Sequence, residues 1–195
     1  MANAALDRRP SPIAGTWYPA NPETLRRELK AYLANAPLPQ FEGRLQGLIV
    51  PHAGYFYSGQ CAAFAFKALE TRTFDKVVLI SPSHRAYPYP LLTSGHEAYS
   101  TPLGDLLVDR PSLQALDAAL AKSGLGLGPV RNDQEHSLEI ELPFLQLLLG
   151  NSFGLIPIMM LDQSRNTAKA LAAALAAWLT ASGKPGSVLL VASSD

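Results

Sequence analysis

The chain has 195 residues, of which 48% are hydrophobic and 16% are charged, and its formal net charge at neutral pH is zero. This composition is typical of one globular domain with a sizeable core, and it lacks the basic balance of a nucleic-acid-binding protein. No apolar run reaches the ~20 residues that span a bilayer, and the N-terminus lacks the apolar core of a secretion signal. We therefore expect a cytoplasmic protein that binds neither nucleic acid nor membrane.

Short apolar strands alternate with amphipathic helices along the chain. The predicted strands are Leu45–Val50, Lys76–Ile80, Leu91–Ser94, Leu106–Val108, Gly154–Met159 and Ser187–Ala192. The predicted helices begin after Asn21 and Ser58, at Pro111 and Ser137, and after Ser164. Strands that are apolar throughout are typical of a sheet covered on both faces, and the alternation implies parallel crossovers. The pattern predicts an α/β fold, a three-layer α/β/α sandwich with a mostly parallel central sheet.

Two segments depart from this alternation. The stretch Tyr87–Val108 holds short strands, prolines and a glycine, and we expect a hairpin excursion at the margin of the sheet. The second segment is the end of the chain, where the core strand Ser187–Ala192 is followed only by Ser193–Asp195. A buried strand at a terminus indicates a fragment of a longer protein.

Two histidines follow predicted strands. His52 lies in Pro51–Gly59, whose glycines permit a tight turn, and His84 follows Ser81–Ser83. Open α/β sheets bind ligands beyond the carboxyl ends of their strands. If the two strands are neighbours, ~5 Å apart, both imidazoles can share one ion, although a third ligand must complete the site. The pair therefore indicates a metal centre or an acid–base site, and a structural histidine under a loop is the alternative for His52.

Three further polar residues are candidates for the same site. Glu135 and His136 open a predicted helix, where the helix dipole favours a carboxylate and a neutral imidazole. They either take part in acid–base chemistry or cap the helix. Asp195 follows the last strand and points at the same crevice, unless the terminus is frayed.

Other reactive or polar side chains are expected to lie outside the site. We expect Cys61 to be a small buried side chain, His96 to lie at the surface, and Glu139 and Glu141 to be exposed. The aromatic rings near the predicted loops either wall a pocket for an aromatic ligand or pack ordinarily: Trp17, Tyr55, Tyr57, Tyr87 and Tyr89.

Six motifs occur in an order that resembles one protein family. They are Ser11–Pro19, Pro51–Tyr55, Ser81–His84, Thr101–Gly104, Glu135–Glu139 with Leu142–Phe144, and Ser193–Asp195. Together they resemble the Memo family, whose bacterial and archaeal members are called AmmeMemoRadiSam system protein B. The resemblance implies a single Memo-like domain over residues 1–195 that is truncated at its C-terminus. It also implies the fold of the catalytic subunit of class III extradiol dioxygenases, which are non-haem iron enzymes.

The resemblance implies roles for the candidate residues. His52 and His84 match the metal-binding histidines, and the catalytic group matches Glu135, His136 and Asp195. The family's third metal ligand, a cysteine, lies farther toward the C-terminus and is absent from this chain.

Three functions are compatible with such a pocket. The first is a redox enzyme that uses iron, or copper, on a small substrate. The second is a non-catalytic module for phosphopeptides or proteins, in which Arg85 and the helix after Ser58 hold a phosphate. The third is an accessory subunit to a radical SAM partner, alongside an AMMECR-type protein.

Overall fold

The computed structural model describes residues 5–181, 184 and 186–194. Strands and helices follow one another along these residues as β1 (Arg8–Arg9), α1 (Pro22–Ala34), β2 (Gly47–Val50), α2 (Tyr55–Phe66), β3 (Lys76–Pro82), β4 (Leu91–Ser94), β5 (Ala98–Thr101), β6 (Gly104–Leu107), α3 (Arg110–Leu120), β7 (Leu127–Val130), α4 (Leu142–Leu149), β8 (Gly154–Met160), α5 (Arg165–Ala181) and β9 (Val188–Ser193). Short 3₁₀ turns occupy Lys67–Leu69, Ala121–Ser123 and Glu139–Glu141.

The central sheet has the strand order β2–β9–β3–β8–β4–β7. Its first four strands are parallel, with Val50 beside Ser193 and Ile80 beside Ala192. Strand β4 is antiparallel to β8 and parallel to β7. The sheet is therefore mixed but mostly parallel, and β9 lies between β2 and β3.

Helices cover the sheet in two groups. Helices α1, α2 and α4 contact one another, and α3 contacts α5. The connection β2–α2–β3 crosses the sheet in one direction, and β8–α5–β9 crosses it in the other. Because such crossovers are right-handed, α2 and α5 lie on opposite faces. The predicted three-layer α/β/α architecture is confirmed.

Local sequence signals explain the helices that were predicted best. The Asn21 side chain accepts the main-chain N–H groups of Glu23 and Thr24, and Pro22 occupies the first turn of α1. One stripe of α1 is buried, at Leu25, Leu29 and Leu33. Helix α5 likewise buries Leu171, Leu175 and Trp178. In both helices the 3.6-residue period of the apolar residues matches the buried face.

Two helix starts differ from the prediction. Helix α2 begins at Tyr55 with Gly54 at its N-cap, so Ser58 lies inside the helix, where its hydroxyl donates to the carbonyl of Ala53. The helix predicted from Ser137 begins as a 3₁₀ turn and becomes α-helical only at Leu142. Pro143 therefore lies in the first turn of α4, where a proline removes no hydrogen bond of the helix.

The excursion at Tyr87–Val108 is only partly what we expected. Strands β5 and β6 do form an antiparallel hairpin, which joins β1 in a separate three-stranded sheet. Strand β4, however, lies inside the central sheet between β8 and β7. Its four residues are all buried, and the hydroxyl of the polar Thr93 donates to the carbonyl of Pro157.

A buried ion-pair cluster connects the small sheet to the segment that follows β7. The Arg9 guanidinium lies 2.7 Å from an Asp133 oxygen and 2.5 Å from a Glu139 oxygen. The other Glu139 oxygen accepts the Tyr18 hydroxyl at 2.8 Å and is also bonded to Ser11. The expectation that Glu139 is exposed is wrong, because this carboxylate is one partner of a buried arginine.

Among the helices of the described residues, none has both the length and the apolar character that a membrane span requires.

Candidate metal centre

Three imidazole rings converge at the carboxyl end of the central strands. His52 lies in the loop between β2 and α2, His84 follows β3, and His136 precedes the Glu139–Glu141 turn. The ring centroids are 5.4 Å apart for His52 and His84, 5.7 Å for His52 and His136, and 4.8 Å for His84 and His136. One ring nitrogen from each residue lies within 4.8 Å of the other two. The three side chains are therefore a candidate ligand set for one metal ion.

The convergence of His52 and His84 does not come from neighbouring strands, as we had expected. Strand β9 separates β2 from β3, and the two rings meet at the end of β9. Ser193, the last residue of β9, lies beside Val50 and places its hydroxyl 3.1 Å from Nδ1 of His52. His52 is buried and His84 is exposed.

Glu135 is buried directly behind His84. One carboxylate oxygen lies 2.9 Å from Nδ1 of His84, and the other accepts the main-chain N–H of His84 at 2.6 Å. The main-chain N–H groups of His136 and Ser137 also donate to Glu135, at 2.9 and 3.0 Å. Burial raises the pKa of Glu135, but the hydrogen bonds from His84 and Ser137 outweigh it and lower the pKa to about 2.

An ionised Glu135 only accepts hydrogen bonds, so His84 carries its proton on Nδ1 and would coordinate through Nε2. A carboxylate that orients a histidine in this way is typical of protein metal sites. Because the oxygens of Glu135 are occupied by four N–H donors, the carboxylate positions the site and is not itself a candidate ligand.

His136 lies within the same cluster. Its ring is stacked on His84 with an interplanar angle of 12°, and the Trp17 ring lies 4.2 Å away on centroids. Its Nδ1 lies 3.4 Å from a Glu135 oxygen. The sequence indicated an acid–base or capping role, whereas the geometry makes His136 a third candidate ligand.

Sequence reasoning missed the groups behind His52. The Ser193 hydroxyl lies 2.7 Å from the carbonyl oxygen of Ser137 and 2.6 Å from a Glu141 oxygen. The expectation that Glu141 is exposed is wrong, because it is 1% exposed. Burial raises the pKa of Glu141 well above its usual range, and the hydrogen bond with Ser193 lowers it less.

Two open cavities reach the histidine cluster from different sides. The first, of about 320 Å³, is walled mainly by apolar groups that include Trp17, Phe56 and Tyr57. The second, of about 420 Å³, has a more polar lining that includes Ser81 and Gln163. Both cavities include His52 in their walls. A small ligand therefore has access to the cluster from an apolar side and from a polar side.

Several predicted residues lie elsewhere. Asp195 falls outside the described residues. His96 is buried, not at the surface, because its Nδ1 bonds Asp7 at 2.9 Å and its Nε2 accepts the N–H of Asn132. Cys61 is exposed on α2, not buried, because the neighbouring Ala62 and Ala63 occupy the inward face of the helix.

The aromatic residues divide between the two alternatives. Trp17 and Tyr57 line the apolar cavity. Tyr55 is buried, and its hydroxyl donates to the carbonyl of Ile140. Neither cavity wall includes Tyr87 or Tyr89.

Comparisons with known proteins place these features in a family. A family model described as "Memo-like protein" matches residues 8–195. A "MEMO1 family protein" of Methanococcoides burtonii is 36% identical over 188 residues, covering 96% of this chain and 67% of that relative. A similar protein of Thermoplasma volcanium is 34% identical over 96% of this chain and 66% of that relative. Another, of Nitrosopumilus maritimus, is 30% identical over 94% of this chain and 66% of that relative.

The chain thus spans about two thirds of the length of the curated relatives it matches. The layered α/β/α architecture agrees with the extradiol dioxygenase-like fold expected from the sequence motifs. On the extent of the family match and the identity to these relatives, the chain belongs to the Memo-like protein family.

Proposed function

We propose that this chain binds one transition-metal ion through His52, His84 and His136 and supports redox chemistry on a small substrate in a dioxygenase-like pocket. The observation that carries the proposal is the approach of three ring nitrogens to within 4.8 Å of one another. Imidazole is a good ligand for first-row transition metals, and three histidines with open positions are a known catalytic ligand set. Iron is the metal we expect, with copper as the alternative.

The surrounding residues suit this role. Glu135 fixes the orientation and the protonated nitrogen of His84, which raises the basicity of the ligand. A bound ion would supply Lewis-acid and redox chemistry. The single ionised carboxylate behind His84 also balances part of the positive charge that such an ion brings.

The two cavities offer a ligand two different environments. The rings of Trp17 and Phe56 give the apolar side of the cluster a nonpolar wall. On the other side, the hydroxyl of Ser81 and the amide of Gln163 offer hydrogen bonds to polar substituents. A small ligand with one apolar end and one oxygen-bearing end fits both environments.

The test is a metal titration of the purified chain. The wild-type protein and the His52→Ala, His84→Ala and His136→Ala variants are titrated separately with Fe²⁺, under anaerobic conditions, and with Cu²⁺ and Zn²⁺. His96→Gln is the control, because His96 lies outside the cluster. Circular dichroism verifies that each variant is folded.

We expect one ion per wild-type chain, at least a tenfold weaker affinity in each cluster variant, and no change in the control. Equal affinity in wild type and all three cluster variants would overturn the proposal, and so would the absence of binding to any of the three metals. Binding of Zn²⁺ without any binding of Fe²⁺ or Cu²⁺ would contradict the redox part of the proposal.

Peptide binding is a second candidate because of two exposed rings. Phe56 is 89% exposed and Tyr57 is 83% exposed at the rim of the apolar cavity. Arg85 is also exposed just after His84. Calorimetry with a phosphotyrosine peptide and its unphosphorylated form tests this function, with Arg85→Ala as the variant. Absence of heat from both peptides would exclude it.

A further inference from the structure

The side chain behind His52 belongs to a closed hydrogen-bond cluster, which we call the Ser193 cluster. It consists of the His52 ring, the Ser193 hydroxyl, the Ser137 carbonyl and the Glu141 carboxyl group. Ser193 Oγ lies 3.1 Å from Nδ1 of His52, 2.7 Å from the Ser137 oxygen and 2.6 Å from Glu141 Oε1. All four residues are described, and Ser137, Glu141 and Ser193 are buried.

The number of protons in this cluster limits its arrangement. A serine hydroxyl donates one hydrogen bond and accepts two. The Ser137 carbonyl only accepts, so its 2.7 Å contact with Ser193 needs the serine proton. The 2.6 Å contact with Glu141 then needs a proton from the carboxyl group, because two acceptor oxygens at that distance would repel each other.

The remaining contact determines the protonation of His52. With its proton directed at an oxygen, Ser193 can only accept from Nδ1 of His52. This holds whether the serine proton points at Ser137 or at Glu141. The histidine proton must therefore lie on Nδ1, which leaves the lone pair of Nε2 for another partner.

We propose that Ser193, backed by a protonated Glu141, is a positioning residue that holds His52 as the Nδ1–H tautomer and so prepares Nε2 to coordinate the metal. This inference deepens the proposed metal site and rests on it. It assigns the cluster a role that neither the motifs nor the relatives' names provide.

The burial of Glu141 supports the protonated form. Burial raises the pKa of Glu141 well above its usual range, with only the Ser193 hydrogen bond acting against it. Glu135 contrasts with it, because its four N–H donors keep it ionised. The two histidines are thus held by different groups, His84 by a charged carboxylate and His52 by a neutral hydroxyl and carboxyl pair. Of Glu135 and Glu141, only Glu135 then carries a charge.

The first experiment measures the tautomer of His52 in the metal-free protein. Long-range ¹H–¹⁵N NMR spectra report which ring nitrogen carries the proton, and His52→Gln assigns the signals. We expect His52 to be protonated on Nδ1 in the wild type. In Ser193→Ala the Nε2–H form should become populated. Ser187→Ala removes a hydroxyl just before the other end of β9 and should leave the tautomer unchanged.

The second experiment compares two glutamine variants at buried glutamates. Glu141→Gln keeps a neutral group that can donate to Ser193, so metal affinity should stay within about twofold of the wild type. Glu135→Gln removes a charged acceptor from His84, so affinity should fall by about 10- to 100-fold. A carboxyl ¹³C signal of Glu141 in the protonated range at neutral pH would support the same assignment.

The outcomes separate the inference from the metal proposal. A wild-type His52 with its proton on Nε2 overturns the inference even if the protein binds metal. An equal loss of metal affinity in Glu141→Gln and Glu135→Gln overturns the protonated state of Glu141. If the wild type binds no metal but His52 carries its proton on Nδ1, the metal proposal fails and the hydrogen-bond assignment stands.

Discussion

Glu135 holds His84 through both of its carboxylate oxygens, one bonded to the ring Nδ1 at 2.9 Å and the other to the main-chain N–H at 2.6 Å. The side chain and the backbone of His84 are therefore fixed by the same group. Because Glu135 also accepts the N–H of His136, it connects two of the three histidines. The geometry of the cluster thus depends on one buried charge.

The charge of Glu135 should make the stability of the protein depend on pH in the acidic range. The folded-state pKa of Glu135 is about 2, below its ordinary value of 4.5. A group whose pKa is lowered in the folded state stabilises the protein at pH values above its ordinary pKa, here by ~3 kcal/mol. This contribution to the free energy of unfolding disappears as the pH falls from 4.5 toward 2. We expect Glu135→Gln to be less stable than wild type at neutral pH, with a difference that shrinks below pH 4.5. Urea unfolding of both proteins at several pH values measures this difference in stability.

Glu141→Gln is the matched control for this prediction. Because the pKa of Glu141 is raised in the folded state, its carboxyl group destabilises the fold at neutral pH, and the variant should be as stable as wild type or more stable. Any difference should vanish below the ordinary pKa of a glutamate. A stability difference for Glu135→Gln that is the same at every pH would contradict the assigned charge.

Removing the buried guanidinium should be costly. Arg9→Met leaves Asp133 and Glu139 buried without their cation. Breaking a buried ion pair by removing one partner typically costs ~3–5 kcal/mol, and urea unfolding should show a loss of that size. Arg8→Met is the control, because Arg8 is about half exposed and its ion pair is with the partly exposed Asp105, so its loss should be below ~1 kcal/mol. Equal losses for the two variants would refute the role of Arg9.

Two phenylalanines on α2 differ in burial and should differ in their contribution to stability. Phe66 is fully buried and stacks on Phe144 with centroids 4.8 Å apart. Phe66→Ala should lower the free energy of unfolding by ~3–5 kcal/mol, because it leaves a cavity. Phe64 is 48% exposed, so Phe64→Ala should lower the free energy of unfolding much less. Denaturant unfolding of both variants measures the difference, and similar values would contradict the packing of α2.

Metal binding should stabilise the fold. A ligand that binds only the folded chain adds ~2.7 kcal/mol at 100 times its dissociation constant. We expect Fe²⁺ or Cu²⁺ to raise the melting temperature of the wild type and to leave that of His84→Ala unchanged. An equal rise in both proteins would place the binding site away from the histidine cluster.

Periodicity and strand-end position were enough to predict much of this protein. The apolar stripe of α1 and the uninterrupted apolar run of β3 predicted their elements because local burial patterns repeat with the geometry of each element. His52 and His84 were predicted as a pair because the ends of parallel strands meet at one edge of a sheet. The order of strands was beyond such reasoning, and β9 lies where β2 and β3 were expected to pair.

The amino-acid sequence by itself determined the α/β class, the family motifs and two of the three histidines as metal-ligand candidates, since these follow from patterns that are local along the chain. Only the tertiary structure decided that His136 joins them, that Glu135 stands behind His84, and that Ser193 contacts both His52 and Glu141. Those contacts join residues that are 51 to 141 positions apart. A charged or polar side chain looks exposed in a sequence unless its buried partner is known, and for Glu139, Glu141 and His96 the partners come from distant segments.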